Sequence, residues 1–416
     1  MTKKWLGTQI ILNNVNYHEL EKNDFLRRKL SLAKEALNLD TLIIWPDSDY
    51  KGLYLTREIC QELKIKTYLW YSILADISLF KIRLEQTVET FQGLHGYGTS
   101  GSWEKLGQGE EDFFFLCPND SGNLNNIFQH FQHILKLADL DGVFLDRIRF
   151  PSPANGLETI YTCFCPYCLE SFYNDYGEDL NKYRNEIKNI FKRFKALDID
   201  GLVTYEHLSQ IFMPANLKKF FDFRRKSIYK TTKMFADKAR ENGKLIGLDL
   251  FAPSLAALVG QDYKLLAEVC DWIKPMIYCH TTGPAGLPLE LSSLLKALMN
   301  LAPNLEEELL IQEISRMLGV CLPGKREALL KKGVPEEIIR MEMQKVNDLD
   351  LKKKIKIYIG WEAVQIPDIA YIDSGVLEKY LSIIWQLNLE GMVISWDLLK
   401  IPDENLKLVG DFLLKQ

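Results

Sequence analysis

The chain has 416 residues, 47% hydrophobic and 26% charged, the make-up of an ordinary globular protein. Its 56 acidic side chains outnumber 51 Lys and Arg for a net charge of −5, which argues against the basic face of a nucleic-acid binder. Eight cysteines are too sparse for a disulfide scaffold, and no apolar run approaches the ~20 residues of a membrane helix.

In chain order, Met1-Thr-Lys-Lys-Trp-Leu-Gly7 lacks the apolar core of a signal peptide, so a cytoplasmic protein with no membrane partner is expected. Short apolar runs follow at Leu6–Leu12, Thr41–Trp45, Thr67–Ile73, Gly142–Ile148, Leu245–Phe251, Trp272–Tyr278, Ile355–Trp361 and Met392–Trp396. Continuous rather than alternating hydrophobicity suits parallel strands buried on both faces. Helical patterns alternate with them at Asp24–Asn38, Leu55–Leu63, Leu124–Ala138, Leu217–Asn242, Tyr263–Val269, Leu291–Asn300 and Gly375–Leu389. Eight strands alternating with helices predict an α/β fold, a (β/α)8 TIM barrel spanning residues 1–416 as one domain. The competing doubly wound sheet would carry a Gly-rich phosphate turn after its first strand, and Ile10-Ile-Leu-Asn-Asn-Val15 has none.

A strand-helix unit takes roughly 30 residues, so the third, fourth and sixth units are oversized. Long insertions after strands 3, 4 and 6 are expected at about 80–121, 152–215 and 301–351, all on the catalytic face. Within the first, Gly93–Trp103 reads as a loop rather than a phosphate cradle, because no Lys-Ser/Thr follows it.

Chemistry in such barrels sits at the C-terminal ends of the strands. Those ends supply Trp45 after strand two, Trp70 on strand three, and Asp146, Arg147 and Arg149 after strand four. Strand five gives Asp249, and strand six Lys274, Tyr278 and His280; strand seven gives Trp361 and Glu362, and strand eight Trp396 and Asp397. Carboxylates among exposed aromatic rings suit a sugar, whose C–H faces stack on the rings while its hydroxyls bond the charged groups. Glycoside cleavage needs two carboxyl groups across the scissile bond, one of them protonated, and like charges held close together raise one pKa. The candidate catalytic residues are Asp146, Asp249 and Glu362. Arg147, Arg149, Trp45, Trp70, Tyr278, His280, Trp361, Trp396 and Asp397 are candidates for substrate binding. Each has a plainer reading beside it: Asp146 ion-paired with its arginines, Asp397 capping the last helix, His280 hydrogen-bonded in the core.

Four segments carry a family resemblance: Cys117-Pro-Asn119, Asp141-Gly-Val-Phe-Leu-Asp-Arg-Ile-Arg-Phe-Pro151, Cys163-Phe-Cys-Pro-Tyr-Cys-Leu-Glu-Ser-Phe172 and Asp271-Trp-Ile-Lys-Pro-Met-Ile-Tyr278. With these the chain resembles glycoside hydrolases of the TIM-barrel class, relatives of the chitinase-like and α-amylase-like barrels. Chitinase-like enzymes carry Asp-Gly-x-Asp-x-Asp-x-Glu on strand four. Here Phe144 stands at the middle Asp and Ile148 at the acid, so that chemistry is not implied. The amylase- and α-galactosidase-like analogy implies Asp146 as nucleophile or stabilising carboxylate, with Asp249 or Glu362 as acid/base. Another glycosidase clan, with its acid on strand four and a Glu nucleophile on strand seven, would reverse the roles of Asp146 and Glu362.

Cys163-x-Cys165-x-x-Cys168 lies in the strand-four insertion. Three thiols in this spacing can ligate a structural zinc, with Cys117 or His207 as a fourth ligand; free packed thiols are the alternative. No cofactor is expected for catalysis. The expected function is hydrolysis of an O-glycosidic bond in a carbohydrate. The alternatives are an inactive carbohydrate-binding barrel, or a barrel enzyme of another class such as a metal-dependent hydrolase or an isomerase using Lys274 and His280.

Overall fold

The structure, a computed structural model, describes residues 4–12, 24–75, 82–95 and 114–415. Most of the glycine-rich stretch 93–103 lies outside them. The apolar runs form strands β1 (Trp5–Ile11), β2 (Thr41–Trp45), β3 (Lys66–Ser72), β4 (Gly142–Asp146), β5 (Leu245–Leu250), β6 (Trp272–Pro275) and β7 (Lys356–Glu362). A two-residue ribbon, β8 (Gln365–Ile366) with β9 (Ala370–Tyr371), precedes β10 (Gly391–Ser395). β1 to β7 and β10 pair in parallel and close into an eight-stranded barrel, with β10 beside β1. This is the (β/α)8 barrel.

Closure explains why the strands are apolar throughout: alternate residues face the interior and the outer helical layer, and neither face meets water. Ile43, Tyr68, Trp70, Phe144, Trp272 and Val393 fill the interior, joined by Trp5, Ile11, Trp45, Tyr358 and Trp396. The N-terminal end is floored by aromatic rings. Trp5 stacks on Tyr358 with centroids 4.0 Å apart, and Trp272 lies 5.4 Å from Trp5 and 5.7 Å from Tyr68. Glycines make room for these rings. A Cβ at Gly247 would stand 2.2 Å from the Trp272 ring, and one at Gly142 2.3 Å from Tyr68.

The helices follow from amphipathic stripes and local caps. Asp120 accepts from the N–H groups of Gly122 and Asn123 to start helix Ser121–Leu137, and Gly243, at φ 70°, lets the chain leave helix Lys218–Glu241. The helix expected at Tyr263–Val269 is a single turn, Tyr263–Leu266, begun by the Asp262 cap. Between β4 and Lys218 stand three short 3-10 turns and helices Pro166–Tyr176, Lys182–Lys195, Ile199–Val203 and Leu208–Phe212. Between β6 and β7 stand Leu287–Leu301, Glu307–Leu318, Arg326–Lys332 and Ile338–Asn347. Leu287–Leu301 packs on the β4 insertion, and Ile338–Asn347 packs in the outer layer against helix Ser374–Gln386. The buried Glu290 carboxylate joins the two insertions, accepting from Ser152 Oγ and Ala154 N at 2.9 Å each.

Candidate active site

The polar residues at the C-terminal end fall into two groups. The first occupies the barrel's own interior. Lys274 on β6 is wholly buried; its Nζ donates to Asp249 Oδ2 at 3.0 Å and to Gln9 Oε1 at 2.8 Å. Ser395 Oγ on β10 donates to the same Gln9 oxygen at 2.9 Å. Gln9 belongs to β1, so the network crosses the barrel. The Lys274 ammonium also lies 5.4 Å from the Phe144 ring and 5.5 Å from that of Tyr278, within reach of cation–π attraction. A dry lysine is tolerable here because a carboxylate, an amide oxygen and two ring faces replace its water.

Asp146 ends β4. The last paired rung of β4 and β5 is Leu145 with Leu248, so the next rung sets Asp146 beside Asp249. Asp146 Oδ2 accepts from Trp70 Nε1 at 2.9 Å, and Trp70 meets Trp45 edge-on with centroids 5.2 Å apart. Arg147 follows at φ 52°. Burial pushes the Asp249 carboxyl up to about 7; the Lys274 ammonium pulls against this, while the Asp146 carboxylate adds to it. Desolvation likewise lowers the Lys274 ammonium, opposed by Asp249. Asp249 Oδ1 and Gln9 Nε2 have no hydrogen-bond partner although both are buried. Such an atom in a barrel mouth is a place for a ligand to bond.

The second group gathers around Glu362 at the end of β7. Glu362 is buried and its Oε1 accepts from His280 N at 2.6 Å and Tyr380 OH at 2.9 Å, while Oε2 is unpartnered. Burial raises the Glu362 pKa, opposed chiefly by the nearby His280. The His280 ring in turn pairs Nδ1 with Lys332 O at 3.0 Å and Nε2 with Glu336 at 3.4 Å. Glu362 and His280 thus tie the β6 insertion to β7.

The remaining candidates divide in the same way. Tyr278 and Trp396 stand 6.2 Å apart at the mouth. Asp397 caps the turn Leu398–Lys400, accepting from Leu399 N at 3.2 Å and from Ile11 N at 3.4 Å, and burial lifts its carboxyl to about 6. Arg149 is 3% exposed, with Phe115 and Phe251 rings each 4.5 Å from its guanidinium. Trp361 is fully buried against Tyr380 on the helix side of β7, facing away from the barrel interior. Apart from these, the sulfurs of Cys117, Cys163, Cys165 and Cys168 converge to within 4.8 Å of one another, whereas His207 caps the helix Leu208–Phe212.

Sequence reasoning passed over Gln9 and Tyr380. A lone amide in the run Gly7–Ile11 is the one signal that Gln9 gives; Tyr380 sits in an amphipathic helix, where an aromatic residue reads as core.

No protein-family model matches the chain, and no curated protein matches it in sequence. Solved structures do match in fold. The PgaB (BpsB) glycoside hydrolase domain of Bordetella bronchiseptica superposes with a TM-score of 0.59 at 11% identity, covering 98% of both chains. A β-galactosidase from the psychrophilic Marinomonas ef1 gives 0.56 at 10% identity, covering 98% of this chain and 59% of the enzyme. An α-L-fucosidase isoenzyme of Paenibacillus thiaminolyticus gives 0.53 at 10%, covering 99% of this chain and 49% of the other. The chain thus spans nearly all of the first relative and about half of the other two. Its fold is the closed barrel of these glycoside hydrolases.

Proposed function

We propose that this barrel is a glycoside hydrolase in which Asp249 is the proton donor and Asp146 the nucleophile or charge-stabilising carboxylate. The observation that carries the reading is the pair itself: two carboxyls side by side at the ends of neighbouring strands, with the pKa of Asp249 lifted to about 7. A carboxyl in that range keeps its proton near neutrality and can give it to a glycosidic oxygen as the C–O bond breaks. Positive charge then grows on the sugar beside Asp146. Where two such carboxyls stand ~5–5.5 Å apart, as in retaining enzymes, one attacks the sugar directly. In that geometry Asp146 bonds the anomeric carbon, and water deprotonated by Asp249 later displaces it. Lys274, itself bonded to Gln9, holds Asp249 in place, and Trp45, Trp70 and Trp396 supply ring faces for the sugar. Glu362, tied to His280 and Tyr380, is a positioning residue in this scheme.

The test compares the wild type with Asp146→Asn on a panel of nitrophenyl glycosides and on oligosaccharides assayed for new reducing ends. Turnover is expected for at least one substrate, with a loss of roughly 10²–10⁴-fold in the folded variant. A folded Asp146→Asn of full activity would sink the proposal. Sugar binding by calorimetry with no product from the wild type would favour the inactive carbohydrate-binding barrel.

Lys274 favours a second reading. A desolvated lysine with a lowered pKa is the usual nucleophile of Schiff-base chemistry on carbonyl substrates, and Lys274 is wholly buried with its ammonium disfavoured. Borohydride reduction in the presence of small aldehydes and ketones, followed by peptide mass spectrometry, tests it. An adduct on Lys274 supports this reading; its absence supports the hydrolase.

A further inference from the structure

We infer that Cys117, Cys163, Cys165 and Cys168 form a structural zinc centre that pins the insertions after β3 and β4 to each other and to helix Lys218–Glu241. The four sulfurs come from two stretches of chain and all lie within 4.8 Å of one another. Cys117 Sγ stands 3.4 Å from Cys168 Sγ and 3.4 Å from Cys165 Sγ. Zinc bonds sulfur at about 2.3 Å in a tetrahedron, so its ligand sulfurs lie ~3.8 Å apart. The cluster fits that figure, and it is too tight to enclose a multi-iron core. All four cysteines are buried and free.

The surroundings are built for thiolates rather than for packed thiols. Glu89 N donates to Cys163 Sγ at 3.2 Å, Asn119 N to Cys117 Sγ at 3.4 Å, and Asn119 Nδ2 to Cys168 Sγ at 3.2 Å. Backbone and amide N–H groups aimed at sulfur spread the charge of a metal-thiolate centre. Cys165 stands at the N-cap of helix Pro166–Tyr176, and Cys168 lies in its first turn, where the helix end favours an anion. Four thiols used only as small hydrophobes would have no reason to turn their sulfurs toward one another.

Binding balances simply: one Zn²⁺ replaces four thiol protons, leaving a centre of net charge −2. Thiolate is the ligand form, so protons and the ion compete for the same sulfurs. Acid therefore releases the metal.

The centre sits where three parts of the fold meet. Cys117 closes the β3 insertion, just after Leu116 N bonds Leu74 O at 2.8 Å. The other ligands open the β4 insertion, where Phe164 N bonds Glu89 O at 3.0 Å. Asn119 Nδ2 also reaches Ser227 Oγ at 3.1 Å, and Thr231 Oγ1 donates to Pro118 O at 3.2 Å, both on the long helix. These insertions leave the ends of β3 and β4, where Ser72 pairs with Asp146, so the ion braces the wall of the mouth without touching the chemistry.

The experiment is metal analysis of the full-length protein purified without chelator, paired with thiol titration. About one zinc per chain is expected, released by a mercurial that blocks the thiols. Cobalt exchanged into the protein is expected to give the thiolate-to-metal absorption of a tetrahedral site. Cys117→Ser and Cys168→Ser should lose the metal, whereas Cys270→Ser keeps it. Should the cluster variants fail to fold, mercurial release and the cobalt spectrum of the wild type still decide. A metal-free folded protein with four titrating thiols would overturn the proposal, and so would bound iron or two disulfides.

Discussion

Asp249 carries the sharpest residue-scale expectation. Its carboxyl pKa rises from 3.8 to about 7 on folding, chiefly through burial. Between those values the folded chain binds this proton and the unfolded chain does not, so the ionised group opposes folding. The penalty is absent below about pH 3.8 and fully present above about 7, amounting to a few kcal/mol at ~1.4 kcal/mol per unit. Urea unfolding of the wild type from pH 4 to 7 should show this loss, and Asp249→Asn should flatten it. As proton donor, Asp249 should also give the rate a basic limb: turnover declines as pH rises through about 7. Lys274→Met strands the Asp249 carboxyl without its counter-charge and should cost about 3–5 kcal/mol. Combining it with Asp249→Asn should cost less than the sum of the two single changes, because no buried charge is left over.

At the scale of elements, the barrel strands were legible because burial on both faces writes an unbroken apolar run. β4 was especially so, since its run ends in three charged residues. The site was legible only in part. Asp146 and Asp249 could be read as strand-end carboxylates, but Trp361 could not be sorted from them, because a residue's face is set by a strand's register and not by its end. Gln9 was out of reach for another reason: its partner Ser395 is 386 positions away, and only closure of β10 onto β1 makes them neighbours. The floor gives this scale its prediction. Gly247→Ala would place a Cβ 2.2 Å from Trp272 and should cost about 1–3 kcal/mol through overpacking. Trp272→Leu, introduced with it, should recover part of that loss in chemical denaturation.

For the whole molecule, the insertions hold one another as much as the barrel holds them. Glu290, 1% exposed, receives two hydrogen bonds from the β4 insertion, and Arg184 bonds Glu89, Thr90, Phe91 and Phe164 across the β3 and β4 insertions. Glu290→Ala removes the carboxylate that Ser152 Oγ and Ala154 N donate to and should cost about 2–4 kcal/mol. Amide exchange should then quicken at 152–161 and leave the barrel strands protected.

The aromatic floor has a consequence for traffic. With Trp5, Tyr68, Trp272 and Tyr358 closing the N-terminal end, the barrel is a cul-de-sac: no chain can thread it, and nothing can leave by the back. If the barrel is the proposed hydrolase, a spent molecule at Asp249 must depart through the opening the next one needs. Departure and arrival therefore exclude each other, and a released product added back should compete directly with fresh substrate.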